Sequence, residues 1–383
     1  MRHQTPSKSR RKGNTAIVVR RPIYLTPVVA EKMTPLVSVV IPSYNAGRTL
    51  AQTLDSVLAQ TYPNIEIIVV NDGSTDATAD VLDAYAHRVQ AIHQQNAGLP
   101  KARNTGSLAA QGEFIALMDA DDLCLPERIA VQVAVLCGRP EALLCSSDFS
   151  SFNRDGRVAH SYASTYYSAI GGAAHGLESL YPEHLELEID AGLRPQSSEP
   201  ARIDVYAGDI YRKLVHGNFV HPPTVMFRRR VLDAAGLFDE TLRYTCDWEW
   251  MVRVARSGPF IHVNRPLLDY RLSEAQMSSW DNNGGKGAVD VVRAATKMWH
   301  ADSALLAADR HGMRKDLGEF SLDAADALVD RDKTAAAKML FRSVWTYGTL
   351  NLDSLRTAAK IILPVTLLRF IRHVRRIVSG RQP

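Results

Sequence analysis

The sequence predicts an α/β fold, a mixed and mainly parallel sheet sandwiched by helices, with a helical C-terminal extension. Three observations carry this prediction. Apolar runs at 37–41, 65–70, 89–93 and 114–118 have the length of buried strands. Helical spacing fills the stretches between them. Each of the longer runs ends in a polar cluster: Pro42-Ser43-Tyr44-Asn45, Asn71-Asp72-Gly73-Ser74 and Asp119-Ala120-Asp121-Asp122. Strands and helices that alternate through short connections build a parallel sheet covered on both faces. Ligands bind such sheets beyond the carboxyl ends of the strands, so the three polar clusters should converge.

Taken in order, residues 1–34 form a basic leader with too little apolar surface to fold alone. Val37-Ser38-Val39-Val40-Ile41 is the first strand, stopped by Pro42. Leu50, Leu54, Val57 and Leu58 make one helical stripe, and 65–70 is the second strand. Val81, Leu82 and Tyr85 mark the next helix, Leu108 and Ala109 a further one, and 114–118 the strand that ends in acid. Residues 35–284 thus read as one domain of two halves, 35–125 and 126–284. Within the latter, 151–216 is broken by Gly171-Gly172, Pro182, Pro195 and Pro200 and reads as a variable insertion. Residues 224–227 look strand-like, and 247–256 helical with Trp250, Met251 and Val254 on one face. From 285 to 383 the chain is Ala-rich and helical.

The run Phe114-Ile115-Ala116-Leu117-Met118 opens directly onto three carboxylates. Packing does not require this, and clustered carboxylates repel unless a cation or ligand lies between them. Oxygen ligands favour a hard ion such as Mg²⁺ or Mn²⁺, which completes its shell with substrate phosphates. The alternative is an acidic turn that caps the helix starting near Pro126.

The ordered set of segments 37–45, 69–76, 96–106, 118–122 and 246–253 resembles the family-two inverting glycosyltransferases of the GT-A fold. The resemblance covers residues 36–279, and it rests on several motifs in the correct order. It implies a nucleotide-diphospho-sugar donor, with a UDP-sugar as the family's common choice, held by a donor half at 35–125, and an acceptor half at 126–284 that carries the 151–216 insertion. On that resemblance Pro42, Tyr44 and Asn45 contact the nucleobase, and Asp72 accepts a base N–H. Arg103 and Asn104 lie near the nucleotide, with an internal salt bridge from Arg103 to Asp72 or Asp119 as the alternative. Asp119 lies near the ribose, Asp121 holds the Mn²⁺ or Mg²⁺, and Asp122 supports them. Asp247 is the general base, with Glu249 as its competitor. The family's usual Glu-Asp pair is Cys246-Asp247 here, which removes any second carboxylate. Arg271 contacts the diphosphate, and Ser273 stands where the family often has His. Asn218 and Thr224 fall near the acceptor pocket. His221 is either structural or a contact to acceptor or metal. Trp248 and Trp250 are either core residues or a sugar-stacking platform.

The net charge of +4 lies at the two ends: residues 2–21 and 369–383 are basic and contain no acid. The near-neutral middle argues against nucleic acid as a partner. No Gly-x-Gly-x-x-Gly follows the first strand, which argues against a dinucleotide-dependent oxidoreductase. Four cysteines without paired spacing fit a reducing cytosol. No apolar run reaches the ~20 residues of a membrane span. Leu367, Phe370, Ile371, Val374, Ile377 and Val378 alternate with Arg369, Arg372, His373, Arg375 and Arg376 as a basic amphipathic helix. Such a helix lies on an anionic membrane or packs on the domain. The sequence therefore predicts a cytoplasmic glycosyltransferase, peripheral to the inner membrane face if that helix docks there. It would act on a saccharide or lipid-linked acceptor in polysaccharide or glycolipid assembly. The alternative is a noncatalytic sugar-nucleotide- or glycan-binding module that has kept the fold.

Overall fold

A computed structural model describes residues 34–171, 176–189, 201–273 and 285–363. The donor half runs β1 (Val37–Ser43), α1 (Leu50–Leu58), β2 (Ile65–Asp72), α2 (Thr78–Ala84), β3 (Gln90–Gln94), α3 (Leu99–Ala109) and β4 (Phe114–Leu117). β1 pairs in parallel with both β2 and β4, placing Val37 beside Ile65 and Phe114, and β2 pairs in parallel with β3. Every residue of β1 and β4 is buried, as expected for central strands covered on both faces. Gly106 lets α3 approach the sheet closely, because a Cβ there would lie 2.5 Å from Val40 Cγ1.

Pro42 does not stop the first strand. β1 continues through Pro42 and Ser43, in register with Val70 and Asn71 of β2. The carbonyl of Val40 faces β4 and accepts from Met118 N at 3.1 Å. Two residues on, Pro42 faces the same edge, but β4 has already ended at Leu117. No partner there requires the N–H that proline lacks.

The acceptor half continues with β5 (Leu123–Cys124), α4 (Arg128–Gly138), β6 (Leu144–Asn153), β7 (Gly156–Ala159), α5 (Ala163–Tyr166), α6 (Ser168–Gly171), β8 (Glu183–Ile189) and β9 (Ala201–Gly208). Then come α7 (Tyr211–Leu214), β10 (Met226–Arg228), α8 (Val231–Ala235), α9 (Cys246–Ala255) and β11 (Phe260–Arg271). The strand order is β3-β2-β1-β4-β10-β6-β11-β9-β8. β10 runs antiparallel between β4 and β6 and joins the parallel donor half to a mixed acceptor half. The strand read at 224–227 begins at Met226, because Pro222–Thr224 form a 3₁₀ turn.

The 151–216 segment is more than an insertion over the site, since β8 and β9 extend the main sheet through β11. Leu185, Leu187, Ile203, Val205 and Ala207 are buried while Glu186 and Arg202 are exposed, the alternation of an edge ribbon with one wet face.

The C-terminal region is helical as predicted: α10 (Lys286–His300), α11 (Ser303–Ala308), α12 (Arg310–Leu328), α13 (Lys333–Phe341), a π-helical turn (Arg342–Tyr347) and α14 (Leu352–Ile362). Ala294, Ala295, Met298, Trp299, Leu305 and Leu317 join the main core. The first part of this region is therefore built onto the α/β domain. Leu328, Val329 and Ala336 form a separate small cluster beneath α13 and α14. The leader (1–33) and the amphipathic segment after Leu363 lie outside the described residues.

Candidate active site

The ends of β1, β2 and β4 open into one cleft of about 2520 Å³ with α9 on its far side. Pro42, Tyr44, Asn45, Asp72, Arg103, Asp119, Asp121, Asp247 and Arg271 all line it. The convergence predicted from strand polarity is what the fold produces.

On the donor wall, Asn45 adopts a left-handed backbone (φ 52°). Its N–H donates to Ser74 Oγ at 2.9 Å, and its Oδ1 accepts from Thr75 N at 2.8 Å. The loops after β1 and β2 are thereby tied together, leaving Tyr44 54% exposed at the cleft. The carboxylate of Asp72 is buried and accepts from Gln94 Nε2 (2.7 Å), Ala97 N (2.9 Å) and Gly98 N (2.8 Å). A carboxylate has about four acceptor positions, so Asp72 secures the loop that starts α3 with three of them.

The acidic cluster does not cap a helix: α4 starts at Arg128 and its N-terminus has no side-chain cap. Asp119 Oδ1 receives Arg103 Nη2 at 3.1 Å, the internal ion pair foreseen as an alternative role for Arg103. Arg103 is nevertheless 2% exposed, with Nε and Nη1 making no hydrogen bond among the described residues. Burial, reinforced by the neighbouring charge of Asp119, pushes the Asp121 carboxyl up to about 6. Burial, then Asp121 and Asp119, hold Asp122 well above the ordinary carboxyl range. Its Oδ1 accepts from Arg271 N at 2.9 Å, and its Oδ2 is buried without a partner. Arg271 lies over the Phe152 ring at 4.5 Å; its Nε donates to the Asp121 carbonyl at 2.6 Å and its Nη2 to Gln52 Oε1 at 2.8 Å. The last strand is in this way fastened to the acidic turn.

Asp119 and Asp121, crowded together at the cleft, fit a divalent cation, whereas Asp122 is fully buried and does not line it. Among the described residues no three His, Cys, Asp or Glu side chains are grouped to hold a metal alone. A hard ion held by one or two carboxylates and substrate phosphate needs no such cage.

On the acceptor wall, Asp247 is the second residue of α9, and its Oδ1 accepts from Trp248 N at 2.8 Å. Burial raises its proton affinity and the nearby Arg103 charge opposes the rise. Glu249 cannot compete for the same role. Its side chain is buried between Arg253 (2.9 Å) and Lys297 (2.7 Å), facing away from the cleft. Burial raises the Cys246 thiol to about 12, so it cannot replace the family's carboxylate.

Several expected neighbours serve the framework instead. Trp250 is fully buried, donates to the Gly236 carbonyl at 2.8 Å and stacks on Phe238, which excludes it as a sugar platform. Trp248 does reach the cleft, with its indole fixed on the Leu214 carbonyl. Asn104 faces the 238–240 loop rather than a nucleotide, binding both backbone groups of Phe238. Thr224 is buried, its hydroxyl donating to the His221 carbonyl. Asn218 and Ser273 line the cleft.

His221 also lines the cleft. Its ring stacks on Phe149 at 3.9 Å, and Nδ1 lies 3.1 Å from the Tyr167 hydroxyl. Burial pushes the imidazole down to about 3, so it is neutral, and its Nε2 has no hydrogen-bond partner among the described residues. Sequence reasoning missed the aromatic wall around it, Tyr166 and Tyr167. The repeated tyrosines of Tyr162-Ala163-Ser164-Thr165-Tyr166-Tyr167 were the available signal.

Residues 38–185 match the family model described as glycosyl transferase family 2. An uncharacterized glycosyltransferase of Rickettsia typhi is 29% identical over 246 residues, 64% of this chain and 66% of that protein. The glycosyltransferase GlyG of Streptococcus pneumoniae is 45% identical over 95 residues, 24% of this chain and 32% of its own. The chain spans less than two thirds of the length of the curated relatives it matches. Among solved structures, the mannosyltransferase PcManGT of Pyrobaculum calidifontis, in complex with GDP-Man and Mn²⁺, superposes with a TM-score of 0.51 at 17% identity, covering 86% of this chain and 79% of that one. The fold is GT-A, and the sequence matches support a glycosyltransferase of the family-two type.

Proposed function

We propose that this protein is an inverting glycosyltransferase that moves a sugar from a nucleotide-diphospho-sugar, of the UDP type, to an acceptor hydroxyl. One observation carries the reading above all. Asp119 and Asp121 at the end of β4 and Asp247 at the start of α9 line one cleft, with the buried Arg103 in electrostatic reach of both walls. A binding module would have no use for a desolvated carboxylate on the wall opposite a diphosphate site.

In this reading Tyr44 and Asn45 border the base, Asp72 offers its remaining acceptor position to a base N–H, and Asp119 meets the ribose. Asp121 would hold Mg²⁺ or Mn²⁺, which supplies positive charge against the departing diphosphate. Arg271 borders the diphosphate. Asp247 takes the proton from the acceptor hydroxyl as that oxygen bonds to the anomeric carbon. The bond from that carbon to the diphosphate oxygen breaks on the opposite face, and the configuration inverts. The raised proton affinity of Asp247 makes it a stronger base than a solvated carboxylate. The acceptor is a saccharide or a lipid-linked saccharide at a membrane surface. Among the described residues no helix is long and apolar enough to cross a membrane.

The test is transfer by Asp247→Asn across a panel of sugar nucleotides and acceptors. Turnover should fall by about 10²-fold or more while donor binding is kept. Unchanged turnover would remove Asp247 from the chemistry.

A further inference from the structure

Among the described residues, six of the ten exposed large apolar side chains fall within 341–362: Phe341, Trp345, Leu350, Leu352, Leu355 and Ile362. They share one structural unit. Lys333 Nζ, at the start of α13, donates to the carbonyls of Ile361 (2.8 Å) and Leu363 at the end of α14. The two helices therefore run antiparallel, and the end of α13 lies beside the beginning of α14. Phe341 and Trp345 are in ring contact at 6.2 Å. Leu352, Leu355 and Ile362 recur at i, i+3 and i+10, one stripe of α14. Folding of the hairpin does not bury these side chains: Trp345 is 76%, Leu352 71% and Ile362 81% exposed.

The hairpin is modestly basic: with its N-cap it carries Lys333, Lys338, Arg342, Arg356 and Lys360 against Asp332 and Asp353, and Arg356 and Lys360 are paired with Asp353 and Asp326. The sequence that follows it, 364–383, adds five arginines and no acid. Nucleic acid would satisfy the charge and leave the leucines wet. Tryptophan and leucine side chains flanked by lysine and arginine suit the interface of an anionic bilayer, where apolar burial and charge attraction act together.

We propose that the exposed face of the α13–α14 hairpin docks this enzyme onto an anionic lipid surface. The inference deepens the reading of a membrane-borne acceptor, but it is tested without donor or acceptor, so the two can fail separately. The full chain is sedimented with phosphatidylcholine vesicles, with and without phosphatidylglycerol. Binding should require the anionic lipid and fall with added salt. The combined Trp345→Ser, Leu352→Ser and Leu355→Ser variant should partition at least about tenfold less, since three exposed apolar groups lose their burial. Its melting temperature and circular dichroism should match wild type, which reports an intact fold. A chain ending at Leu363 should keep binding that the same three substitutions abolish. Equal partitioning of the triple variant, or no affinity of the shortened chain for anionic vesicles, would overturn the proposal. So would a wild-type dimer in light scattering that the triple variant dissociates while neither protein binds vesicles.

Discussion

Asp119, Asp121 and Asp122 stand within four residues, yet each has its own electrostatic surroundings. Asp119 is paired with Arg103, and Asp122 is sealed beneath the backbone of Arg271. Asp121 is raised to about 6 by burial and by Asp119. A carboxyl whose folded pKa exceeds its unfolded value near 3.8 contributes stability that is complete below that value. The contribution is lost as pH rises through the folded pKa. Without divalent ion, the melting temperature should therefore decline between about pH 4 and 6. Mn²⁺ should reverse the decline above that window, because the ion binds the ionised form. Thermal scans of wild type and Asp121→Asn across that range, with Mn²⁺ and with EDTA, check this; an equal pH slope in both proteins would remove Asp121 as its source. The clustering of Asp119 and Asp121 at the cleft was legible at residue scale because carboxylates after an apolar strand have few structural uses. The framework roles of Asn104, Thr224 and Trp250 were not legible. Burial of a single side chain in a loop or helix depends on partners distant in sequence, here Phe238, His221 and Gly236.

The elements that deliver those residues differ in how plainly the sequence announced them. β1, β2 and β4 were clear because central parallel strands, buried on both faces, read as unbroken apolar runs. Pro42 misled because proline normally ends a strand, and only the position where β4 stops shows that it need not here. β8 and β9 were hidden by proline and glycine neighbours and by the weak alternation of an edge ribbon. The contact between α7 and α12 was equally invisible, being made by groups about a hundred residues apart. His216, just beyond α7, places Nδ1 2.7 Å from Asp316 and Nε2 3.2 Å from Asp309, with its ring edge-on to Trp299. The hydrogen bond to Asp316 raises the imidazole above its usual 6.5. Its stabilising effect is present below 6.5 and lost as pH rises through the raised value. His216→Gln should lower the melting temperature in mildly acidic buffer, and the difference should shrink in alkaline buffer. A difference that does not change with pH would mean the imidazole acts by packing alone.

Across the whole molecule, one sheet joins the two walls of the cleft, and α10 and α12 brace the acceptor wall by sharing its core. This places the ends of β1, β2 and β4 and Asp247 on one framework, while the basic, apolar hairpin stands at the far end of the helical region. Its sign was readable as a cluster of arginines and lysines. Its exposed leucines were not, because nothing in a helical stripe tells a packed face from an open one. The central claim is that the acidic turn and the loops after β1 and β2 form a metal-dependent nucleotide-diphosphate site. Calorimetric titration of UDP, GDP and dTDP, each with Mn²⁺ and with EDTA, tests it most directly. The account predicts that UDP binds with Mn²⁺, that EDTA abolishes binding, and that Asp121→Asn loses the metal-dependent part. Binding of none of the three nucleotides, or binding of equal strength in EDTA and in the Asp121→Asn variant, would contradict it.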